Sequence, residues 1–252
     1  MYIQSAKNER VKQWRKLATK KEREKTRTYR IEGFHLVEEA IKSGANIKEI
    51  MIESDIETNL LKQFPEEKIF TLSSEAAQAV SGTETTQGIF AIIEMPEEQE
   101  LEEITAPFLL LDQVQDPGNV GTMIRTADAA GFQGVILGEG SADVYNDKTL
   151  RSAQGSHFHL SLYRKDLNEI LFFFKNKKIP VYGTALNKQA KSYRSLLPPD
   201  PFALIMGNEG NGMSEELLNQ TTENLYIPIL GEAESLNVGV AAGILMFSLW
   251  QG

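Results

Sequence analysis

Asn224–Trp250 reads NLYIPILGEAESLNVGVAAGILMFSLW, two apolar segments flanking a polar loop. Leu225–Leu230 is a short apolar run bounded by polar residues and interrupted by Pro228, which predicts a buried strand over Leu225–Pro228. Val238–Trp250 carries no charge. That run is too short to span a bilayer and about right for a buried core helix. Asn237 or Ser235 can cap its first turn. Gly239, Ala241, Ala242 and Gly243 are small, so a second backbone or a ligand can approach closely. The loop between, Gly231-Glu232-Ala233-Glu234-Ser235, connects strand to helix. In α/β proteins ligands sit at such loops, at the carboxyl end of the sheet. A plain helix cap explains the same residues, so the choice rests on the rest of the chain.

Going outward, 252 residues suffice for one large or two modest domains. Hydrophobic content of 41% and charged content of 24% are those of a soluble globular protein. The chain has no cysteine, which excludes disulfides, thiolate metal sites and cysteine nucleophiles and fits a reducing, cytoplasmic location. Met-Tyr-Ile-Gln at the start has no apolar h-region, predicting no signal peptide, and no window predicts a membrane helix. The net charge of −9 is unevenly placed. Residues 1–30 hold 11 Lys/Arg against 3 Asp/Glu, net +8, so the remainder carries 15 against 32, net −17. A basic arm on an acidic body predicts a local polyanion contact.

That arm, Lys7–Arg30, has helical spacing of Val11, Trp14, Leu17 and Ala18, and reads as a basic amphipathic helix for RNA, an anionic membrane or a partner. A solvated face is the plain alternative. Strand-like and helix-like pieces then alternate. Strands are predicted at Tyr29–Glu32, Ile47–Ile52, Lys68–Leu72 and Gly88–Glu94, with helices at Phe34–Ser43, Asp55–Gln63 and Ser73–Val80. This is a small α/β domain over residues 1–95. The acidic, proline-bracketed stretch 96–106 reads as a linker. A second α/β unit, 107–252, has strands at Phe108–Asp112, Gly134–Leu137, Phe158–Leu162, Pro180–Thr184, Phe202–Met206 and Leu225–Pro228. Helices are expected near Val120–Ala130, Asp147–Ser152, Asp166–Asn176 and Ser214–Asn219.

Two further loops follow strands. In Leu109–Phe132, LLLDQVQDPGNVGTMIRTADAAGF, the turn Asp116–Asn119 caps a helix and Arg125 sits about two turns from Asn119. In Phe202–Ser214, FALIMGNEGNGMS, Gly207, Asn208, Glu209, Gly210 and Gly212 follow an apolar strand. Neither fits the dinucleotide or Walker fingerprint: the glycine spacing is wrong, and Met213 stands where Lys is needed. A glycine-rich loop with one carboxylate can bind a small ligand, or it can be a tight turn. His157 and His159, two apart on the expected strand, would share a face, but a third metal ligand is not evident.

These three stretches together resemble, in order and spacing, the three motifs of the SpoU-type, TrmH-like RNA ribose 2′-O-methyltransferases of the SPOUT superfamily. The resemblance covers roughly Phe108–Gly252. Residues Arg30–Ala40, RIEGFHLVEEA, and the later TTQGI resemble more diffusely the RNA substrate-binding domain often fused to it, which is similar to a small ribosomal protein. The resemblance implies an α/β trefoil knot with a parallel sheet, S-adenosylmethionine as methyl donor, no metal, and a homodimer. It implies a donor cleft at Gly207, Ile227 and Leu236, floored by Thr184, Ala185 and Leu186. It implies catalytic roles for Arg125, Asn119, Glu209, Ser235 and Asn237. Arg151 falls in a family segment that faces RNA, and Lys12, Arg15 and Lys16 would add phosphate contacts from the arm. The implied substrate is RNA, ribosomal ahead of transfer RNA. A non-catalytic RNA-binding or ribosome-assembly factor is the alternative of another class.

Overall fold

The structure, a computed structural model, describes residues 1–81, 85–97, 100–186 and 189–250. Residues 98 and 99 of the expected linker, and 251–252, lie outside them. The chain divides into two compact units, Met1–Glu97 with Tyr145–Leu150, and Glu98–Val144 with Arg151–Gly252.

In the first unit the chain runs β1 (Tyr2–Ile3), α1 (Glu9–Lys16), α2 (Lys20–Thr26), β2 (Thr28–Glu32), α3 (Phe34–Lys42), β3 (Ile47–Glu53), β4 (Ile69–Leu72), α4 (Ser74–Ser81) and β5 (Ile89–Glu94). The strands form one mixed sheet in the order β1-β4-β3-β5-β2. The basic arm is not one helix. Thr19 is an N-cap inside the charged run: it is extended, and its side chain accepts from the Glu22 N–H. The run therefore breaks into α1 and α2.

Nor is it a free arm. Val11, Trp14 and Leu17 are buried in one core with Phe70, Leu72, Ala76, Ala77, Val80, Phe90 and Ile92. Trp14 Nε1 and Arg10 donate to the two oxygens of Glu49, each at 2.6 Å. Arg23 and Arg30 are buried, so two of the eleven cations counted above are structural. Arg23 donates to the Leu17 carbonyl at 2.6 Å, and Arg30 pairs with Asp147 at 2.7 Å. The expected helix Asp55–Gln63 is irregular chain ending in a 3-10 turn, Leu60–Gln63. Ile56 in its first half lies against Gly88, where φ is +70°.

The second unit continues with β6 (Phe108–Leu111), α5 (Pro117–Ala129), β7 (Gly134–Leu137), α6 (Asp147–Ala153), β8 (Ser161–Arg164), α7 (Leu167–Asn176), β9 (Val181–Thr184), β10 (Lys191–Ser192), β11 (Ala203–Met206), α8 (Glu215–Leu218), β12 (Glu223–Tyr226) and α9 (Val238–Leu249). The α6 helix begins in the segment assigned to the first unit. The sheet is parallel throughout, in the order β10-β12-β9-β11-β6-β7-β8. Every residue of β6, β7 and β11 is buried, as expected for strands covered on both faces. Leu101 and Ile104 of the acidic stretch pack on this core.

The strand near the end of the chain stops at Tyr226, short of Pro228, which cannot donate to a ladder. The expected strand Phe158–Leu162 is displaced. Gly155, at φ +95°, turns the chain into a 3-10 turn over Ser156–Phe158, and β8 starts only at Ser161. His157 and His159 therefore share no strand face. His159 Nδ1 lies 3.0 Å from Asp128, whereas His157 is buried.

Burial, followed by the nearby His159, pulls the His157 pKa from its ordinary 6.5 down to about 3. The folded protein thus keeps His157 neutral while the unfolded chain takes up a proton below 6.5. The sign follows directly: between pH 6.5 and about 3 the fold loses stability as pH falls, by up to about 1.4 kcal/mol per pH unit. A His157→Gln variant should show a shallower loss in melting temperature between pH 7 and 5. An unchanged slope would remove His157 from the account.

Candidate active site

Four neighbouring parallel strands, β12, β9, β11 and β6, end on the same edge of the sheet. Their carboxyl-end loops are therefore brought together although they come from four separate parts of the chain. The loops after β9, β11 and β12, with the start of α9, enclose a cleft of about 400 Å³. Gly207, Ile227, Leu236, Thr184, Ala185 and Leu186 all line it, together with Glu209 and Ser235. Leu225, Ile229, Val238, Ala241 and Leu245 make much of its wall apolar.

Gly207 has no room for a side chain. A Cβ there would stand 2.3 Å from Met213 N and 2.4 Å from Gly212 C, both backbone atoms. Met213 is itself fixed, since its sulfur accepts the Thr184 N–H at 3.1 Å. Thr184 Oγ1 donates to the Ile205 carbonyl at 3.1 Å. The floor is thus tied to the strand beside it.

A polar chain runs along the cleft's edge. Glu209 accepts from the Gln115 N–H at 3.1 Å, the Asp116 N–H at 3.0 Å and Asn119 Nδ2 at 3.0 Å. Asn119 Oδ1 accepts from Asn237 Nδ2 at 3.0 Å. Asn237 Oδ1 in turn caps α9 through the N–H groups of Gly239 and Val240. The α5 helix is capped by Asp116, which accepts the Asn119 N–H at 3.0 Å, with Pro117 in its first turn. Burial pushes the Glu209 carboxyl up. The hydrogen bonds from Asn119, Asp116 and Gln115 outweigh that and hold it below its ordinary value. It is therefore an ionised, oriented acceptor at neutral pH.

The two helices that carry these asparagines pack together. A Cβ at Gly239 would lie 3.4 Å from Thr122 Cγ2, and one at Gly243 would lie 3.6 Å from Thr126 Cγ2. The small residues of α9 thus let α5 approach. Arg125 lies on the exposed side of α5. It is not part of the cleft wall. Ser235 and the rest of 230–237 are exposed. Lys12, Arg15, Lys16 and Arg151 are exposed as well, Lys12 with an ion pair to Glu9 at 2.6 Å. Asp112 and Asn208 were given no role in the sequence reading, yet both tie the loops of the site together. Asp112 accepts the Ser214 N–H at 2.9 Å, a pairing across a hundred residues that no local pattern reveals. Among the described residues no three His, Cys, Asp or Glu could hold a metal, and no helix is long and apolar enough to cross a membrane.

Residues 106–247 match the SpoU rRNA Methylase family, and residues 8–91 match the MRM3-like substrate binding domain. The chain belongs to the SpoU rRNA methylase family. Among curated proteins it is 51% identical over 253 residues to the 23S rRNA (guanosine(2553)-2′-O)-methyltransferase RlmP of Bacillus subtilis, covering 98% of each chain. Among solved structures it superposes on an AdoMet-bound rRNA methyltransferase from Sinorhizobium meliloti with a TM-score of 0.89. That match has 29% identity and covers 99% of this chain and 97% of the other. A putative RNA methyltransferase of the TrmH family from Porphyromonas gingivalis gives 0.85 at 32% identity, over 95% and 96%.

Proposed function

We infer that this SpoU family member transfers a methyl group from S-adenosylmethionine to a ribose 2′-hydroxyl of ribosomal RNA. The observation that carries the reading is the Glu209–Asn119–Asn237 chain standing at the edge of the donor-sized cleft. The 51% identity to RlmP supports ribosomal RNA as the substrate.

When bound, the donor supplies a methyl already activated on a sulfonium, and the chemistry asks for no metal. Gly207, Ile227 and Leu236, above Thr184, Ala185 and Leu186, would hold it largely through backbone groups. Transfer then needs the 2′-oxygen in line with the methyl and its proton removed. Glu209, ionised and held by three donors, keeps Asn119 turned toward Asn237. Ser235 and Asn237 would hydrogen-bond donor and substrate at the loop apex. Arg125, exposed on α5, would hold the target phosphate bidentately and stabilise negative charge developing on the attacking oxygen.

The same reading takes the small-residue run around Leu236–Gly243 as the threaded segment of a trefoil knot and the protein as a cytoplasmic homodimer. Val240 and Phe247, exposed on the otherwise apolar α9, support burial of that face against a second copy. The first unit, read as an RNA-binding domain of the ribosomal-protein kind, would meet phosphates through Lys12, Arg15 and Lys16, with Arg151 adding a contact from the second. Deleting residues 1–30 cannot test this, because it removes Trp14 and β2 from the core. Substituting the three exposed cations can.

A melting curve with and without ligand checks the donor. S-adenosylmethionine at a hundred times its dissociation constant should stabilise the fold by about 2.7 kcal/mol, and NAD should not. Stabilisation by NAD alone would contradict the reading.

A further inference from the structure

We infer that Asn208 is a positioning residue for methyl transfer: its side chain latches the 208–212 loop onto the loop after β6 and so holds the Glu209 carboxylate against Asn119. The inference rests on the methyltransferase reading and adds to it a residue that reading does not use.

Asn208 works with both ends of its amide. Nδ2 donates to the Gln113 carbonyl at 2.8 Å, across to the other loop. Oδ1 accepts from the Gly210 and Asn211 N–H groups at 2.9 and 3.0 Å, within its own loop. The backbones of Asn208 and Gly212 exchange two hydrogen bonds of 3.0 Å, which close that loop into a small hairpin. The anchor is fixed as well. Gln113 has φ +54°, the left-handed region that a non-glycine residue enters only when its surroundings hold it there. The far end of the loop is tied by the Ser214 N–H to Asp112. Between these two ties stands Glu209, whose partners Gln115, Asp116 and Asn119 all lie on the opposite loop or the helix it leads into. Breaking the Gln113 tie releases the near end of the loop, the end that carries Glu209, and small misplacements of an orienting group are costly in rate.

The two ends of the amide can be separated. Asn208→Asp keeps an acceptor for Gly210 and Asn211 but cannot donate to Gln113. Asn208→Ala removes both. Single-turnover methylation of ribosomal RNA should slow about 10- to 100-fold in both variants. The melting temperature should stay within a few degrees. Because Asn208 acts through Glu209, the double variant Asn208→Asp, Glu209→Gln should be no slower than Glu209→Gln alone. Amide hydrogen exchange at Gln115 and Asp116 should quicken in Asn208→Asp, a readout that needs no activity.

Three results would overturn the latch: a wild-type rate in Asn208→Asp, effects that multiply in the double variant, or unchanged exchange at Gln115 and Asp116. If Asn208→Ala does not fold, Asn208→Asp decides alone. A wild-type protein that methylates no ribosomal RNA instead contradicts the methyltransferase reading, and the exchange measurement still judges the latch.

Discussion

Arg125→Ala is expected to fold normally and to lose on the order of a hundredfold or more in turnover, the effect of removing one donor to a developing oxyanion. The competing explanation for an arginine at this point of α5 is an ion pair with Asp128, one turn on. The structure gives Asp128 a different partner, His159 Nδ1 at 3.0 Å, and leaves Arg125 exposed. Stability should therefore change by no more than about 0.5 kcal/mol, as at other exposed positions. Donor affinity should stay within a few-fold, because Arg125 is not part of the cleft wall. Arg125→Lys should restore little, since a point charge does not reproduce a planar fork with two parallel donors. Near-wild-type turnover in a folded Arg125→Ala protein removes the catalytic assignment.

Gly207→Ala should act on the other half of the site. The new methyl would meet backbone atoms at 2.3 and 2.4 Å, so the 208–212 loop must move out, away from Met213 and the floor. Forcing such a group into a packed site costs about 1–3 kcal/mol. Spent at the cleft wall, that corresponds to roughly a ten- to hundredfold loss of donor affinity. Gly210 supplies the control, as a Cβ there would meet only Asn208 Oδ1 at 3.7 Å. Isothermal titration with S-adenosylmethionine should find Gly207→Ala weak and Gly210→Ala close to wild type. Equal affinity in all three would mean that the loop is not the donor's wall.

The loops that form the cleft were legible because each follows an apolar strand, whereas the roles of their polar residues came from the family resemblance alone. Gly207 and Glu209 follow β11, Asn119 opens α5, and Asn237 caps α9. What brings them together was not legible. The adjacency of β12, β9, β11 and β6 is a property of strand order, and no periodicity encodes it. The ties between loops, Asp112 to Ser214 and Asn208 to Gln113, join residues about a hundred positions apart. The basic run misled through its charge. Its apolar period, Val11, Trp14 and Leu17, marked a core face, and Thr19 marked the break, but both signals sit among lysines and arginines. In the same way Gly155 at positive φ delays β8 and separates two histidines that alternation would have placed side by side.

The central claim is methyl transfer to a ribose oxygen, and alkaline hydrolysis reads that oxygen directly. Ribosomal RNA from a strain lacking this protein would be incubated with the purified enzyme and S-adenosylmethionine, then cleaved in alkali and mapped. A 2′-O-methyl group cannot attack the neighbouring phosphate, so one linkage should become resistant to cleavage, and only with active enzyme. Methyl incorporation with every linkage still labile, or no incorporation into ribosomal RNA at all, would contradict the account.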